Sequence, residues 1–278
     1  MRIIFLGDVV GRSGREAVLK YLPVIKEKMR PDFLVVNAEN AAHGFGLTPA
    51  MADEFFSHGV DVLTTGNHIW DKREIIPYIA QQSRLLRPVN FPAESTPGQG
   101  VVVVKNDRGQ KLLVVNVMGR LFMDTLDCPF QAMERIFNAC PLGQEVQAIL
   151  VDIHAETTSE KMAMGHLADG RASLVVGTHT HIPTADAQIL PKGTAYQTDA
   201  GMCGDYNSVI GMQAGAPVQR FLRKMPGERL MPAEGEGTVC GVIVETDDKT
   251  GLASWVSAIR LGPRLAEILP LPPSLALL

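Results

Sequence analysis

Val60-Asp61-Val62-Leu63 runs straight into Thr64-Thr65-Gly66-Asn67-His68-Ile69-Trp70-Asp71. The first four residues read as a buried strand that empties into a loop carrying an amide and an imidazole side by side. A strand ending in Gly-Asn-His puts both side chains at its carboxyl end, the edge at which open α/β sheets bind ligands. Gly66 permits a sharp turn or a close approach of backbone to ligand. Asn67 is therefore read as a metal ligand and His68 as a proton donor beside it.

Upstream, Arg2–Leu6 and Phe33–Asn37 are β-rich runs that end in Gly7-Asp8 and in Ala38-Glu39-Asn40. Between them Val18, Leu19, Leu22, Ile25 and Met29 recur at helical spacing, which predicts a helix over about 15–29 that Pro31 stops, with Gly11 and Gly14 in a loop before it. Thr48 caps and Pro49 opens a second helix, which Gly59 closes. This alternation is the pattern of a parallel sheet with crossover helices. Downstream, a polar helix is expected over about 71–82, and then the grammar changes. Apolar runs at 101–104 and 111–117 flank Asn106-Asp107-Arg108-Gly109, a hairpin signal, and a second hairpin is read at 239–245 and 253–260. Helices are expected over 129–139, 159–167 and 218–224, strands over 148–153, 174–177 and 194–197, and a glycine-rich loop over 198–211. No internal repeat or boundary shows, so 1–278 is expected to be one domain, with a tail from about 262 on the surface or against a neighbouring subunit of a homo-oligomer.

The chain has 278 residues, 46% of them hydrophobic and 20% charged, which suits a packed core. Its net charge of -4, with no long basic run, argues against nucleic-acid binding through a charged face, so RNA is not indicated by charge. A small phosphorylated substrate stays compatible, because metal ions carry positive charge locally. Cys128, Cys140, Cys203 and Cys240 show no CxxC spacing and suggest neither a zinc ribbon nor a disulfide framework. The first apolar run is too short for a signal peptide, and no segment approaches the roughly 20 apolar residues of a membrane span. A cytoplasmic protein with no membrane partner is expected.

Five apolar runs each end in a group able to bind a metal: Asp8, Glu39-Asn40, Asn67-His68, His154 and His179-x-His181. Strands sharing a sheet would bring these ends to one edge. Mixed oxygen and nitrogen donors suit iron, manganese or zinc rather than the all-oxygen cage of calcium. Two ions about 3.5–4 Å apart, bridged by one carboxylate, suit phosphate-ester hydrolysis. Each residue also has a plain structural alternative. Asp8 equally serves as a cap for a helix starting near Ser13, Asn40 and Asn67 as turn residues, and His68 and His154 as hydrogen-bonded structural histidines. In an extended segment His179 and His181 would face one side together. His43, His58 and His166 are read as structural, the last two at helix C-termini. Asp199, Asp205 and Tyr206 fit either a pocket mouth or a turn. Gly11-Arg12-Ser13-Gly14 lacks the lysine and spacing of a P-loop.

These motifs occur in the order used by calcineurin-like metallophosphoesterases. The phrases Gly7-Asp8-Val9-Val10-Gly11, Asn37-Ala38-Glu39-Asn40-Ala41-Ala42 and Thr65-Gly66-Asn67-His68-Ile69-Trp70-Asp71 resemble the YmdB-type branch of that superfamily. So do Asp152-Ile153-His154-Ala155-Glu156-Thr157-Thr158-Ser159-Glu160-Lys161, Gly177-Thr178-His179-Thr180-His181 and Asp199-Ala200-Gly201-Met202. The first motif departs from the superfamily's usual Asp-x-His, and Glu39 stands where a bridging aspartate is usual; Asn40 is read as filling the place of the absent histidine. The resemblance implies an α/β fold, a two-sheet sandwich of mixed parallel and antiparallel strands flanked by helices. It implies one metal on Asp8, Glu39, Asn40 and His181 and another on Glu39, Asn67, His154 and His179, with iron or manganese favoured over zinc. The implied reaction is hydrolysis of a 2′,3′- or 3′,5′-cyclic nucleotide by a bridging hydroxide, with His68 as proton donor. A phosphomonoesterase, an RNA-processing nuclease, a metal-bound regulator with incidental hydrolysis and a structural metalloprotein are the competing readings.

Overall fold

A computed structural model describes residues 1–225 and 227–276. Strand β1 (Arg2–Leu6) shows how the layers form. Successive side chains leave a strand on opposite faces, so Ile4 and Leu6 enter one apolar cluster while Ile3 and Phe5 enter another. The remaining elements follow as α1 (Gly11–Met29), β2 (Phe33–Asn37), α2 (Pro49–Ser57), β3 (Val62–Thr64), α3 (Ile75–Ile79), β4 (Val101–Lys105) and β5 (Lys111–Met118). Then come α4 (Pro129–Ala139), β6 (Ala148–His154), α5 (Thr158–Ala168), β7 (Leu174–Thr178), β8 (Gln188–Ile189) and β9 (Ala195–Gln197). The chain continues through α6 (Gly215–Arg223), β10 (Val239–Thr246), β11 (Ala253–Leu261) and α7 (Pro273–Ala276).

The strands form two sheets, ordered β11-β10-β1-β2-β3 and β4-β5-β6-β7-β9-β8. In the first, β1, β2 and β3 are parallel and β10 and β11 antiparallel; in the second, β5, β6, β7 and β9 are parallel, with antiparallel β4 and β8 at the edges. Ile3, Phe5, Phe33, Val35 and Val242 face Leu112, Val114, Leu150, Leu174 and Val176 in one shared layer between the sheets. Val18, Leu22 and Phe55 from α1 and α2 cover the outside of the first sheet, and Met133, Phe137 and Met164 from α4 and α5 cover the second. The fold is the expected α/β two-sheet sandwich flanked by helices. Each fully buried Val, Leu, Ile or Phe contributes roughly 1.5–3 kcal/mol, so the three apolar layers fix where the strand ends lie. At the carboxyl edge the sheets are also tied by polar bonds: Asp152 on β6 accepts from Asn37 Nδ2 at 3.0 Å and from Thr64 Oγ1 at 2.6 Å.

Several local expectations are corrected. The loop expected around Gly11 and Gly14 is already helix, since α1 starts at Gly11 behind an extended Val10. Gly14 is there because a Cβ would collide with the Cys203 carbonyl; it serves close packing, not a turn. Asp8 does not cap this helix, whose cap residue is Val10 and makes no side-chain bond. Only Ile75–Ile79 of the helix expected over 71–82 forms. Pro77 lies inside it and supplies no N–H to continue the ladder. The helix expected over 218–224 starts earlier, at Gly215, and the two-residue β8 has no readable alternation. Residues of the tail return to the first sheet: Ile268 pairs with Arg260, Leu269 packs on the outer layer, and Ser274 donates to Glu245. The last two residues of that tail, 277 and 278, lie outside the described residues. Among the described residues no helix is long and apolar enough to cross a membrane.

Candidate metal centre

The carboxyl ends of β1, β2, β3, β6 and β7 deliver the candidate residues to one place. His154, the last residue of β6, is the middle of the tighter half. Its Nε2 lies 2.9 Å from Asn67 Oδ1, 3.1 Å from His179 Nδ1 and 3.1 Å from Glu39 Oε1. Ligand atoms of Glu39, His154 and His179 all lie within 4.8 Å of one another. Donor atoms at right angles around one ion, each roughly 2.1 Å from it, are about 3 Å apart. Gly66 makes the crowding feasible, because a Cβ there would strike both the His154 ring and Glu39 Oε2.

The looser half holds Asp8, Asn40 and His181. Asp8 Oδ2 accepts from the His179 amide at 3.2 Å, while Asp8 Oδ1 lies 3.9 Å from His181 Nε2. Asn40 Nδ2 donates to the Gly44 carbonyl at 3.1 Å. Among the described residues Asp8 Oδ1 and Asn40 Oδ1 are buried side-chain oxygens with no hydrogen-bond partner, and Glu39 Oε1, equally buried, meets only His154 Nε2 at 3.1 Å. A buried acceptor left unpaired costs about 1–3 kcal/mol, more when charged. These three buried oxygens facing unblocked imidazole nitrogens form a set of hard and borderline donors that a cation satisfies. The residues present therefore fit a metal centre.

Each imidazole is aimed by its other nitrogen, as metal-binding histidines require. The Thr178 hydroxyl spends its one proton on Asp152 Oδ1 at 2.7 Å, so its oxygen accepts from His154 Nδ1 at 2.9 Å and leaves Nε2 for the site. His179 Nε2 sits 3.1 Å from Glu156 Oε2, which frees Nδ1. His181 Nδ1 donates to the Ile210 carbonyl at 2.8 Å, which frees Nε2. His179 and His181 do not lie in the extended segment expected of them. Strand β7 ends at Thr178, and the two histidines have φ of 93° and 66°. Left-handed backbone at non-glycine residues is costly and persists where the surroundings enforce it. The anchor is Thr180 between them, whose amide and hydroxyl donate to Asp199 Oδ2 at 3.2 and 2.6 Å. The same oxygen accepts from Lys161 Nζ at 2.7 Å, a fully buried ion pair beneath the loop.

The electrostatics follow from burial and crowding. Burial raises the Asp8 pKa above the ordinary carboxylate range. Burial also opposes charge on Glu39, but His154 and the His68 amide hold it down to about 2. Burial opposes protonation of His154, yet Glu39 and Asp8 keep its proton on up to about 9. Burial, and then the charge on His154, pushes His179 down to about 3. The cluster thus holds a proton on His154 that an incoming cation displaces.

His68 stands at the rim. Its amide donates to Glu39 Oε2 at 3.1 Å, and its Nδ1 lies 2.8 Å from Asp71 Oδ2, so Nε2 is available to a bound molecule. The ring meets Phe45 edge-on, with centroids 5.0 Å apart. A cavity of about 270 Å³ opens here, floored by Glu39, Asn40, His179 and His181. Of the remaining candidates, His43 is exposed, His58 caps α2 and His166 lies in the last turn of α5. Asp205 is a turn residue that accepts from the Asn207 and Gly235 amides. Glu156, Thr178 with Asp152, Lys161 and the Ile210 carbonyl are the supporting groups that sequence reading missed, and Asp199, read as a pocket-mouth or turn residue, is the buried acceptor of Lys161 and Thr180. Glu156 and Lys161 sat within a quoted phrase but carried no ligand-like signal of their own.

A model of the YmdB-like protein family matches residues 4–259. The chain belongs to the YmdB-like family. The 2′,3′-cyclic-nucleotide 2′-phosphodiesterase of Bacillus subtilis (strain 168) is 48% identical over 262 residues, which covers 94% of this chain and 97% of that protein. Among solved structures of similar shape, a hypothetical protein from Thermus thermophilus superposes with a TM-score of 0.87 at 41% identity, covering 94% of this chain and 99% of that one. A novel phosphatase from Mycoplasma pneumoniae gives a TM-score of 0.86 at 34% identity, covering 94% and 93%. For this member of the YmdB-like family the candidate site lies wholly within the matched span.

Proposed function

We propose that the chain is a metal-dependent phosphodiesterase that hydrolyses cyclic nucleotides carrying a 2′,3′- or 3′,5′-phosphate. The observation that carries this reading is the group of buried oxygens on Asp8, Glu39 and Asn40 facing the imidazoles, those of Asp8 and Asn40 unpartnered, with His68 at the rim. The name of the Bacillus subtilis relative supports the substrate class. In this reading Asp8, Glu39, Asn40 and His181 hold one ion, Glu39, Asn67, His154 and His179 hold a second, and the ions are iron or manganese. Ions held there would supply charge neutralisation at the phosphoryl oxygens and a water acidified to act as nucleophile. His68 Nε2 passes its proton to the leaving ribose oxygen, a step worth typically 10²- to 10⁴-fold. Asp71 accepts from Nδ1 and holds the ring, so the proton given up is the Nε2 proton of the imidazolium, which leaves the neutral ring with its remaining proton on Nδ1. Glu156, Thr178 and the Ile210 carbonyl keep the other imidazoles aimed.

The described residues lining the cavity include no lysine or arginine. A diester carries one negative charge and needs less cationic help from the lining than a doubly charged monoester, which favours a phosphodiester over a phosphomonoester. The same reading takes 1–278 as one domain, with its tail against its own surface or a second copy, in a reducing, cytoplasmic compartment that suits four free cysteines. Chelation is expected to abolish hydrolysis of 2′,3′-cyclic AMP, and manganese or iron to restore it. Run beside an aryl monoester and an oligoribonucleotide, the cyclic nucleotide is expected to be the best substrate; activity that survives exhaustive chelation contradicts the reading.

A further inference from the structure

One wall of the cavity is apolar: Phe45, Ile210, Met212 and Leu230 stand over the polar floor. The wall is backed by a small core of its own, in which Phe45, Tyr206 and Leu230 pack on Val10, Met202 and Met212. Ile210 is the anomaly in it. It is β-branched, yet its φ is 47°, a region such side chains rarely enter. The residue is 49% exposed, so it buries little in return for that backbone. What the fold needs from this position is the carbonyl that receives His181 Nδ1. A glycine would offer that carbonyl and adopt the backbone freely, as Gly211 next to it does with a φ of 94°. The backbone itself belongs to a two-residue turn in which Val209 and Met212 exchange amide-to-carbonyl bonds at 2.8 and 2.9 Å, but the isoleucine side chain on it has no structural return, and an observed outlier of this kind points to function.

We propose that this wall is the seat for the planar base of the substrate and that Ile210 is its specificity-determining residue. The inference rests on the phosphodiesterase reading above and deepens it. A cyclic nucleotide carries its base and its phosphate on one ribose, so a base against the wall leaves the phosphate over the floor. Phe45 touches both parts, since its ring is the wall's contact with His68. Binding sites for drug-sized ligands usually run from about 300 Å³ upward; the present cavity, at about 270 Å³, suits one nucleotide rather than several.

The test uses the full chain loaded with manganese and compares 2′,3′-cyclic AMP with the 2′,3′-cyclic phosphate of methyl riboside, the same sugar without a base. The wild type is expected to prefer the nucleotide in kcat/KM. Ile210→Gly, which relieves the backbone and keeps the carbonyl, is expected to lower that preference about tenfold through KM, a change equivalent to about 1.4 kcal/mol. Ile210→Asn, polar and tolerant of left-handed backbone, should lower it similarly, and Ile210→Val should largely retain it. Metal content, measured alongside, should stay at the wild-type value in all three. An unchanged preference in Ile210→Gly and Ile210→Asn overturns the base seat. So does equal loss on both substrates together with lost metal, which would leave only the carbonyl's hold on His181. If the wild type turns over both substrates equally, the base seat fails and the phosphodiesterase reading stands. If it turns over neither, both fail.

Discussion

The two ends of the same parallel strands use acidic residues in opposite ways. At the amino edge the acids serve the backbone. Asp32 Oδ2 accepts from the Arg2 amide at 2.7 Å and Asp61 Oδ2 from the Leu34 amide at 2.8 Å, N–H groups in the first two residues of their strands. In the hairpin beside them Asp247 Oδ1 accepts from the Lys249 and Thr250 amides at 3.0 and 2.9 Å. At the carboxyl edge Asp8 keeps one buried oxygen without a partner and Glu39 one that meets only His154, and His179 and His181 opposite sit in left-handed backbone. The first edge satisfies itself; the second leaves buried acceptors that a cation would satisfy. Stability and function therefore separate along the length of a strand, as they do where an active site departs from the local rules that the rest of a fold obeys.

The sharpest way to break this contrast is Asp8→Asn. Loss of a metal-facing carboxylate removes several kcal/mol of charge stabilisation, so turnover is expected to drop about 10³-fold. The metal-free protein should at the same time melt higher. The sign follows from burial: Asp8 has its pKa raised in the folded state, so its ionised form at neutral pH opposes folding, and the amide removes that penalty. A lower melting temperature for metal-free Asp8→Asn would erase the distinction between the edges. Next, His68→Ala should lose about 10²- to 10⁴-fold in turnover with metal content unchanged by elemental analysis, because His68 faces the cavity and lends Glu39 only its backbone amide. Lys161→Met, beneath the site, strands a fully buried Asp199 and should cost about 3–5 kcal/mol in denaturant unfolding. Its effect on metal affinity, about 10- to 100-fold, would show that Asp199 holds the His179–His181 loop.

A smaller effect comes from pH. His154 keeps its proton up to about 9 in the metal-free cluster, so an incoming ion must displace it. Metal affinity should accordingly rise about tenfold per pH unit between 6 and 9, with release of one proton that calorimetry in buffers of different ionisation enthalpy can count. His179, already pushed down to about 3, contributes none at neutral pH. Affinity that is flat across this range would contradict the assignment. The smallest expected effect belongs to the amino edge: Asp32→Ala should cost about 1 kcal/mol of stability through its lost bond to the Arg2 amide, and should leave cyclic-nucleotide hydrolysis at the wild-type rate.

The strands that form the site were legible because a buried parallel strand is an uninterrupted apolar run, and a polar residue at its end stands out. Arg2–Leu6, Phe33–Asn37 and Leu174–Thr178 are of this kind, and so the place where Asp8, Glu39, Asn67, His154 and the later histidines meet could be read in outline. The supporting groups could not. The Ile210 carbonyl is a backbone atom with no side-chain signature, and the Thr178–Asp152 link joins residues that read as ordinary strand. Glycine misled in one place. Gly11 and Gly14 looked like a loop, but the Cys203 carbonyl lies against a helix at Gly14. The geometry of His179-Thr180-His181 was also hidden, since it depends on Asp199, a residue distant in the chain that pins Thr180 from below. Sequence carried the donors, and long-range packing supplied their aim.

In the proposed centre Glu39 would be shared by two ions. Titration of the metal-free protein with Mn²⁺, followed by electron paramagnetic resonance, tests that directly. Two ions per chain with an exchange-coupled spectrum in the wild type, and loss of the coupling in Glu39→Gln, is the predicted result. A single ion per chain with full hydrolytic activity, or two ions that never couple, would contradict it.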